Sequence, residues 1–278
     1  MWYNRRMLEG IVLGTIQGIT EWLPISSEAA VILVKANFFG GKETLTELIG
    51  FALFLHLGTF LAASWYLRDD VIALIKILFR PRRIFQKGEI ERMARFLLLS
   101  TVLSAAVGYL VLEVILPSVE RDIMASTKVI TGSVGVLLLG TALLQFQAKR
   151  KKRAAQKEAP DLQDRDSALL GVIQGLTVLP GLSRSGLTIS ALLLRNYSDT
   201  TALRISFLMS LPAVLGANIF LYAKEGIELN VSLIFGALFA FLFGILTIHL
   251  LFRIARNVNF AYFVFLFGIL TIISVFLQ

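Results

Sequence analysis

Long apolar stretches separated by short polar breaks run through almost the whole chain. Two of these stretches are interrupted near their middle by a polar tip that contains proline. The first covers residues 8–36, and its tip reads Gly18-Ile19-Thr20-Glu21-Trp22-Leu23-Pro24-Ile25-Ser26-Ser27-Glu28. Proline lacks a backbone N–H and clashes with the preceding turn, so it breaks a helix. In lipid the freed backbone groups have to be met by protein or by water in a cavity. The pattern therefore predicts a re-entrant, broken-helix hairpin with a polar tip, and makes that tip the candidate site.

A second such stretch covers residues 168–195, with the tip Pro180-Gly181-Leu182-Ser183-Arg184-Ser185-Gly186-Leu187-Thr188. The two stretches are copies. Gly14, Ile16, Gln17, Gly18 and Thr20 recur at an offset of 157 as Gly171, Ile173, Gln174, Gly175 and Thr177, and Pro24 recurs one residue out of step as Pro180. Paired, interrupted apolar segments at matching places in two halves point to a site near the bilayer middle.

The remaining apolar runs predict six full crossings, at residues 46–68, 94–116, 124–146, 202–223, 231–252 and 260–277, with Pro212 kinking the fourth. A basic amphipathic piece, 69–92, reads as a surface helix on anionic lipid. The whole chain, 1–278, is expected to be one integral membrane domain. Its first repeat is 8–146, a basic linker follows at 147–167, and the second repeat is 168–277. One hairpin plus three crossings reverses the side of the membrane, so the second repeat has to enter upside down. The fold class expected is an all-α polytopic membrane protein with six transmembrane helices and two re-entrant hairpins in an inverted-topology repeat.

Composition agrees. The chain is 56% hydrophobic and 17% charged, with a mean hydropathy of +0.75. Its net charge of +8 would fit nucleic acid, but the Lys and Arg residues gather in loops between apolar runs, which fits cytoplasmic anchoring. The loops 69–93 and 147–167 fall on one face in this topology and are placed in the cytoplasm. The first hairpin then enters from outside, the second from inside, and both termini lie outside. Cysteine is absent, which excludes disulfides and Cys-based metal sites. No cleavable signal is expected after Met1-Trp2-Tyr3-Asn4-Arg5-Arg6.

The tips carry the candidate chemistry. Ser26 and Ser27 precede a helical run and are placed to cap it; Ser183 and Ser185 flank Arg184 at the start of the corresponding helix. Helix N-termini offer free N–H groups and partial positive charge. Two of them facing one cavity, with the planar donors of Arg184, make an anion site suited to phosphate. Glu21 would repel a phosphate unless it binds a divalent cation or acts as a base toward a nucleophile. Gln17 lies one helical turn before Glu21 on the same face. Glu28 is either a second site carboxylate or a residue at the cavity mouth. His56 is a site member or a buried structural histidine. His249, Glu47 and Glu113 are expected at the membrane interface.

The segment Gln17–Ser27 resembles the first signature of the undecaprenyl-diphosphate phosphatases, also called the bacitracin-resistance family. The segment Pro180–Thr188 resembles their second signature, and Leu55-His56-Leu57-Gly58-Thr59 and Ser206-Phe207-Leu208-Met209-Ser210-Leu211-Pro212 are similar to further family segments. The resemblance implies a multi-pass plasma-membrane enzyme that hydrolyses a C55-type polyprenyl diphosphate to the monophosphate and inorganic phosphate for carrier-lipid recycling. It implies a divalent cation, magnesium or calcium, and a site open to the outer side. Carried over by motif, Glu21, Ser27 and Arg184 are catalytic, with Glu21 as the metal ligand. Gln17, Ser26, Ser183, Ser185 and Thr188 bind substrate, and Glu28 and His56 are additional candidates. The expected partners are the lipid diphosphate and surrounding membrane lipids, with no nucleic acid and with a homodimer as the assembly to look for.

One departure matters. The family's usual histidine would fall at Ala30, and Glu28 stands in place of a Thr or Ser. Glu28, Glu21 or His56 has to take that histidine's role if turnover is kept. A rival function is a carrier that binds polyprenyl phosphate and moves it across the membrane without hydrolysis. A structural membrane subunit is a third, disfavoured by the cost of polar tips in lipid.

Overall fold

The computed structural model describes residues 2–23, 26–39, 45–115, 127–150, 157–178, 182–225 and 229–254, and 262, 265, 266, 268–270, 272 and 273 of the last predicted crossing. Pro24, Ile25, Pro180 and Gly181, and with them the proline breaks expected at the two tips, lie outside the described residues. The described chain is helical. A single bridge between Lys157 and Tyr197 is its only extended pairing.

Helices α1 (Trp2–Thr20) and α2 (Ser27–Val34) form the first hairpin. Helix α3 (Leu45–Tyr66) is followed by α4 (Arg68–Leu78), turned by 93° at the join. Helices α5 (Glu89–Leu110) and α6 (Thr127–Arg150) complete the first half. Helices α7 (Asp164–Leu176) and α8 (Arg184–Leu194) form the second hairpin. Helices α9 (Asp199–Glu225) and α10 (Val231–Ile254) follow, and α9 continues through Pro212 rather than ending there. Among the described residues, α5, α9 and α10 are long and apolar enough to cross a membrane, and the bent pair α3–α4 makes a fourth. The protein is an integral membrane protein. Leu61, Trp65, Leu238 and Leu242 on α3 and α10 are exposed, as lipid-facing side chains are.

Small residues let the hairpins sink into the bundle. A Cβ on Gly18 of α1 would stand 2.8 Å from the carbonyl oxygen of Ala240 and 2.8 Å from the amide nitrogen of Gly244, both on α10. A Cβ on Gly171 of α7 would stand 2.7 Å from the carbonyl oxygen of Ser100 on α5. Such spacing is open only to glycine, and it is how helix backbones approach closely without a hydrophobic drive. The repeated glycines thus do the same work twice: α1 lies on α10, and α7 lies on α5.

The far ends of the hairpins are pinned in matching ways. Glu9 on α1 pairs with Lys35, which follows α2 and lies 4.3 Å from the centre of the Phe51 ring. Asp166 on α7, at the same offset of 157 from Glu9, accepts from Arg195 Nε at 2.5 Å and from the Tyr197 hydroxyl at 2.7 Å. Arg195 caps α8, and the chain leaves through Asn196 with φ 71°, a left-handed turn that Asn tolerates. Asp166 is almost fully buried. Such a charge is kept only when paired and hydrogen-bonded, so each hairpin base is held by a carboxylate from its rising arm and a cation from its returning arm.

Candidate active site

The first tip leaves α1 at Thr20, whose hydroxyl donates back to the Ile16 carbonyl at 2.6 Å. The chain turns through Glu21, Trp22 and Leu23 and re-enters helix at Ser27. Ser26 is the N-cap of α2: its hydroxyl accepts from the Ala29 amide at 3.4 Å. That frees Ser27 for another task. Its hydroxyl donates to Glu21 Oε2 at 2.6 Å. The two serines, equal in the sequence, are divided by the turn into a cap and a side chain aimed at a carboxylate.

The second tip mirrors this. Ser183 caps α8, accepting from the Gly186 amide at 3.1 Å. Arg184 then takes the position equivalent to Ser27 and crosses to the first tip, where Nη2 donates to Glu21 Oε1 at 2.5 Å. Its Nη1 donates to the Ser206 carbonyl on α9 at 3.2 Å, and its guanidinium lies 5.8 Å from the centre of the Trp22 ring. Ser185 ties the two tips directly, donating to the Leu23 carbonyl at 2.8 Å. Thr188 faces α9 instead, sharing a 2.7 Å hydrogen bond with the Ser206 hydroxyl.

Glu21 is the centre of this arrangement. It is buried, with 6% of its surface exposed. Oε1 accepts from Arg184. Oε2 accepts from Ser27, from Gln17 Nε2 at 3.0 Å and from His56 Nε2 at 3.1 Å. His56 comes from α3, where its Nδ1 lies 2.8 Å from the Ala52 carbonyl. Trp22 closes one wall, tilted against Phe207 at 4.6 Å. The turn after α1, helix α2 and helix α8 therefore bring one carboxylate, one serine hydroxyl and one guanidinium into a single buried cluster, with His56 added from α3.

The oxygen donors bear on a divalent cation. Among the described residues no three His, Asp or Glu side chains form a metal cage. Glu21 already faces Arg184 and His56, so a metal there would compete with both. Glu28, half-buried beside Glu21 and His56, makes no hydrogen bond among the described residues. The buried Gln17 Oε1 also has no donor. These two oxygen donors are of the type that a magnesium-type ion takes beside phosphate and water.

Known proteins similar to this chain place it in a family. The family model described as bacitracin resistance protein BacA matches residues 10–273. This chain belongs to the BacA family. It is 41% identical over 270 residues to the protein named undecaprenyl-diphosphatase of Methanococcoides burtonii, covering 97% of this chain and 98% of that one. It is 36% identical to the undecaprenyl-diphosphatase of Haloarcula marismortui, over 91% of this chain and 92% of the other. A bacterial relative of the same name, from Syntrophotalea carbinolica, is 34% identical over 90% of each chain.

Of the residues singled out in this BacA-family chain, Gln17, Glu21, Ser27, Arg184 and His56 touch one another directly or through Glu21. Ser26 and Ser183 use their hydroxyl oxygens as helix caps, and Thr188 bonds the Ser206 hydroxyl on α9. His249 stands apart, edge-on to Tyr66 at 6.3 Å. Glu113 is exposed and pairs with Lys224 at 2.8 Å, as an interfacial residue would. Sequence reasoning quoted Ser206 only within a family-like segment and gave it no role, although its carbonyl accepts from Arg184 and its hydroxyl bonds Thr188, and it missed the paired carboxylates Glu9 and Asp166. The latter were signalled by the same offset that revealed the repeat.

Proposed function

We propose that the protein is an undecaprenyl-diphosphatase, releasing inorganic phosphate from a polyprenyl diphosphate and leaving the lipid monophosphate. One observation carries the reading. A serine hydroxyl hydrogen-bonded to a buried carboxylate lies beside a guanidinium supplied by the other hairpin, which is the donor set that phosphoryl transfer needs.

In the reaction Ser27 Oγ attacks the terminal phosphorus. The bond from Oγ to phosphorus forms, the bridging phosphorus–oxygen bond breaks, and the lipid monophosphate leaves as an anion. Glu21 Oε2 takes the Ser27 proton along the existing hydrogen bond. Arg184 turns from Glu21 Oε1 to the phosphoryl oxygens, which removes a cation from Glu21 and makes it the better proton acceptor as substrate arrives. In the second step water attacks the phosphoserine phosphorus, the bond from phosphorus to Oγ breaks, Glu21 returns its proton to Oγ, and the phosphate leaves as H2PO4− with both hydrogens of the water. A divalent cation, held by Glu28 and Gln17 Oε1 together with phosphate oxygens, would neutralise charge developing on the diphosphate.

The site sits between two repeats for which we propose inverted topology and six crossings in total. The matched glycine contacts and the matched Glu9 and Asp166 pairs support that arrangement. With the basic loops in the cytoplasm, the first hairpin opens to the outer face of the plasma membrane.

Purified protein in detergent should release phosphate from undecaprenyl diphosphate with added magnesium, and Ser27→Ala should abolish release. A wild type that releases none, yet moves lipid phosphate across vesicle membranes, would replace hydrolysis with the carrier function.

A further inference from the structure

Glu21 has two sets of partners, and they differ in freedom. Oε1 is held by Arg184 alone, which comes from a separate hairpin and has 16% of its side chain exposed. Oε2 is held by Gln17, Ser27 and His56. If Arg184 turns to the phosphoryl oxygens as the proposed reaction has it, Oε1 loses its one partner and the carboxylate is free to swing after the guanidinium.

We infer that His56 is a positioning residue that keeps Glu21 Oε2 aimed at Ser27 while Arg184 is on the phosphate. The ring is built for this. A carbonyl oxygen can only accept, so at 2.8 Å from the Ala52 carbonyl Nδ1 carries a hydrogen. That bond lies within α3 and fixes the ring plane. Nε2 is thereby directed at Oε2, the same oxygen that receives the Ser27 hydroxyl. Both ring nitrogens thus face oxygens, one on its own helix and one on the carboxylate. Its anchor is a transmembrane helix, not a hairpin tip, so it stays when Arg184 moves. Gln17 donates to the same oxygen, but from α1, the arm that carries the tip itself. The charged groups facing the ring are Glu21 and Glu28 from the first hairpin, with Arg184 across the carboxylate.

This rests on the phosphatase reading of the site, and the test separates the two. Phosphate release from undecaprenyl diphosphate with magnesium is measured for the full-length wild type, His56→Gln and His56→Met. Both variants are close to histidine in length; Gln keeps a donor toward Oε2 and Met does not. Removing a support behind a site residue typically costs about 10–100-fold. His56→Met should lose that much in kcat with KM within about twofold, because the ring does not touch substrate. His56→Gln should recover most of the loss. Gln no better than Met, a loss confined to KM, or His56→Met as active as wild type would each overturn the role given to His56. A wild type that releases no phosphate would overturn the reading of the site itself.

Discussion

Gly18 is where the packing and the chemistry meet most tightly. It follows Gln17, precedes Glu21 by three residues, and rests on the backbone of α10. Gly18→Ala adds one methyl group whose carbon would stand 2.8 Å from the Ala240 carbonyl oxygen, the Gly244 amide nitrogen and the Phe243 Cβ. Two of these atoms are backbone and cannot rotate away. Restoring an ordinary contact of 3.4 Å requires α1 to move by about 0.6 Å. Overpacking of this kind costs roughly 1–3 kcal/mol, offset in part by the roughly 0.8–1 kcal/mol that Ala gains over Gly in a helix. The net loss of about 1 kcal/mol should lower the unfolding midpoint by about 2–4 °C in a chain of this size. The effect on turnover should be larger than the effect on stability. A misplacement of about 1 Å can cost about 100-fold in rate, so a shift of half that size should cost about tenfold in kcat. Gly140 supplies the control. A Cβ there meets nothing within 4 Å, so Gly140→Ala should leave both quantities unchanged or raise the midpoint slightly. Thermal unfolding in detergent and phosphate release measure the pair. Wild-type kcat and midpoint in Gly18→Ala would refute the seating of α1 on α10 and the site geometry that depends on it.

Other expectations follow from the same contacts. Ser26→Ala removes a cap and should cost about 1 kcal/mol in stability while keeping most activity, whereas Ser27→Ala should eliminate turnover with stability little changed; unfolding and phosphate-release assays on both separate the two serines. Arg184→Lys keeps the charge but loses the planar fork that spans Glu21 and Ser206, and should lower kcat/KM by about tenfold, against about 100–1,000-fold for Arg184→Ala. Glu28→Gln should raise the magnesium concentration needed for half-maximal activity, read from a metal titration at saturating substrate; an unchanged requirement would take Glu28 out of cation binding. Asp166→Asn leaves the half-exposed Arg195 without its carboxylate and weakens the Tyr197 hydrogen bond, and should destabilise the protein by about 1–3 kcal/mol, seen as a lower unfolding midpoint.

Much of this architecture was legible in the sequence because glycine and proline punctuate apolar runs for few reasons. The repeated Gly14 and Gly18, matched by Gly171 and Gly175, marked two equivalent hairpins, and the structure seats both pairs against helix backbones. Glu21 and Arg184 stood out as charges inside apolar stretches, and they meet. What could not be read was how each polar side chain divides its hydrogen bonds. Ser26 and Ser27 are neighbours of the same type, and only the φ and ψ angles of the cap separate their roles. Thr188 lies within the second signature, yet its direction is set by a neighbour on α9, Ser206, that no local pattern connects to it. His56 looked as much like a packed core histidine as a site residue, because its partner is 35 positions away in the chain. The equivalence of Glu9 and Asp166 was present in the offset, but their meaning depends on Lys35 and Arg195 ending the two returning arms.

The central claim is that Glu21 of the first hairpin and Arg184 of the second act as one unit on the phosphoryl group. A double-mutant cycle on kcat/KM for phosphate release, using Glu21→Gln, Arg184→Gln and the double variant, tests it most directly. If the two side chains share a site, the double variant should be about as impaired as the worse single variant, a coupling of about 2–3 kcal/mol. Losses that simply add would mean that the two residues act independently, and would contradict a site assembled from both hairpins.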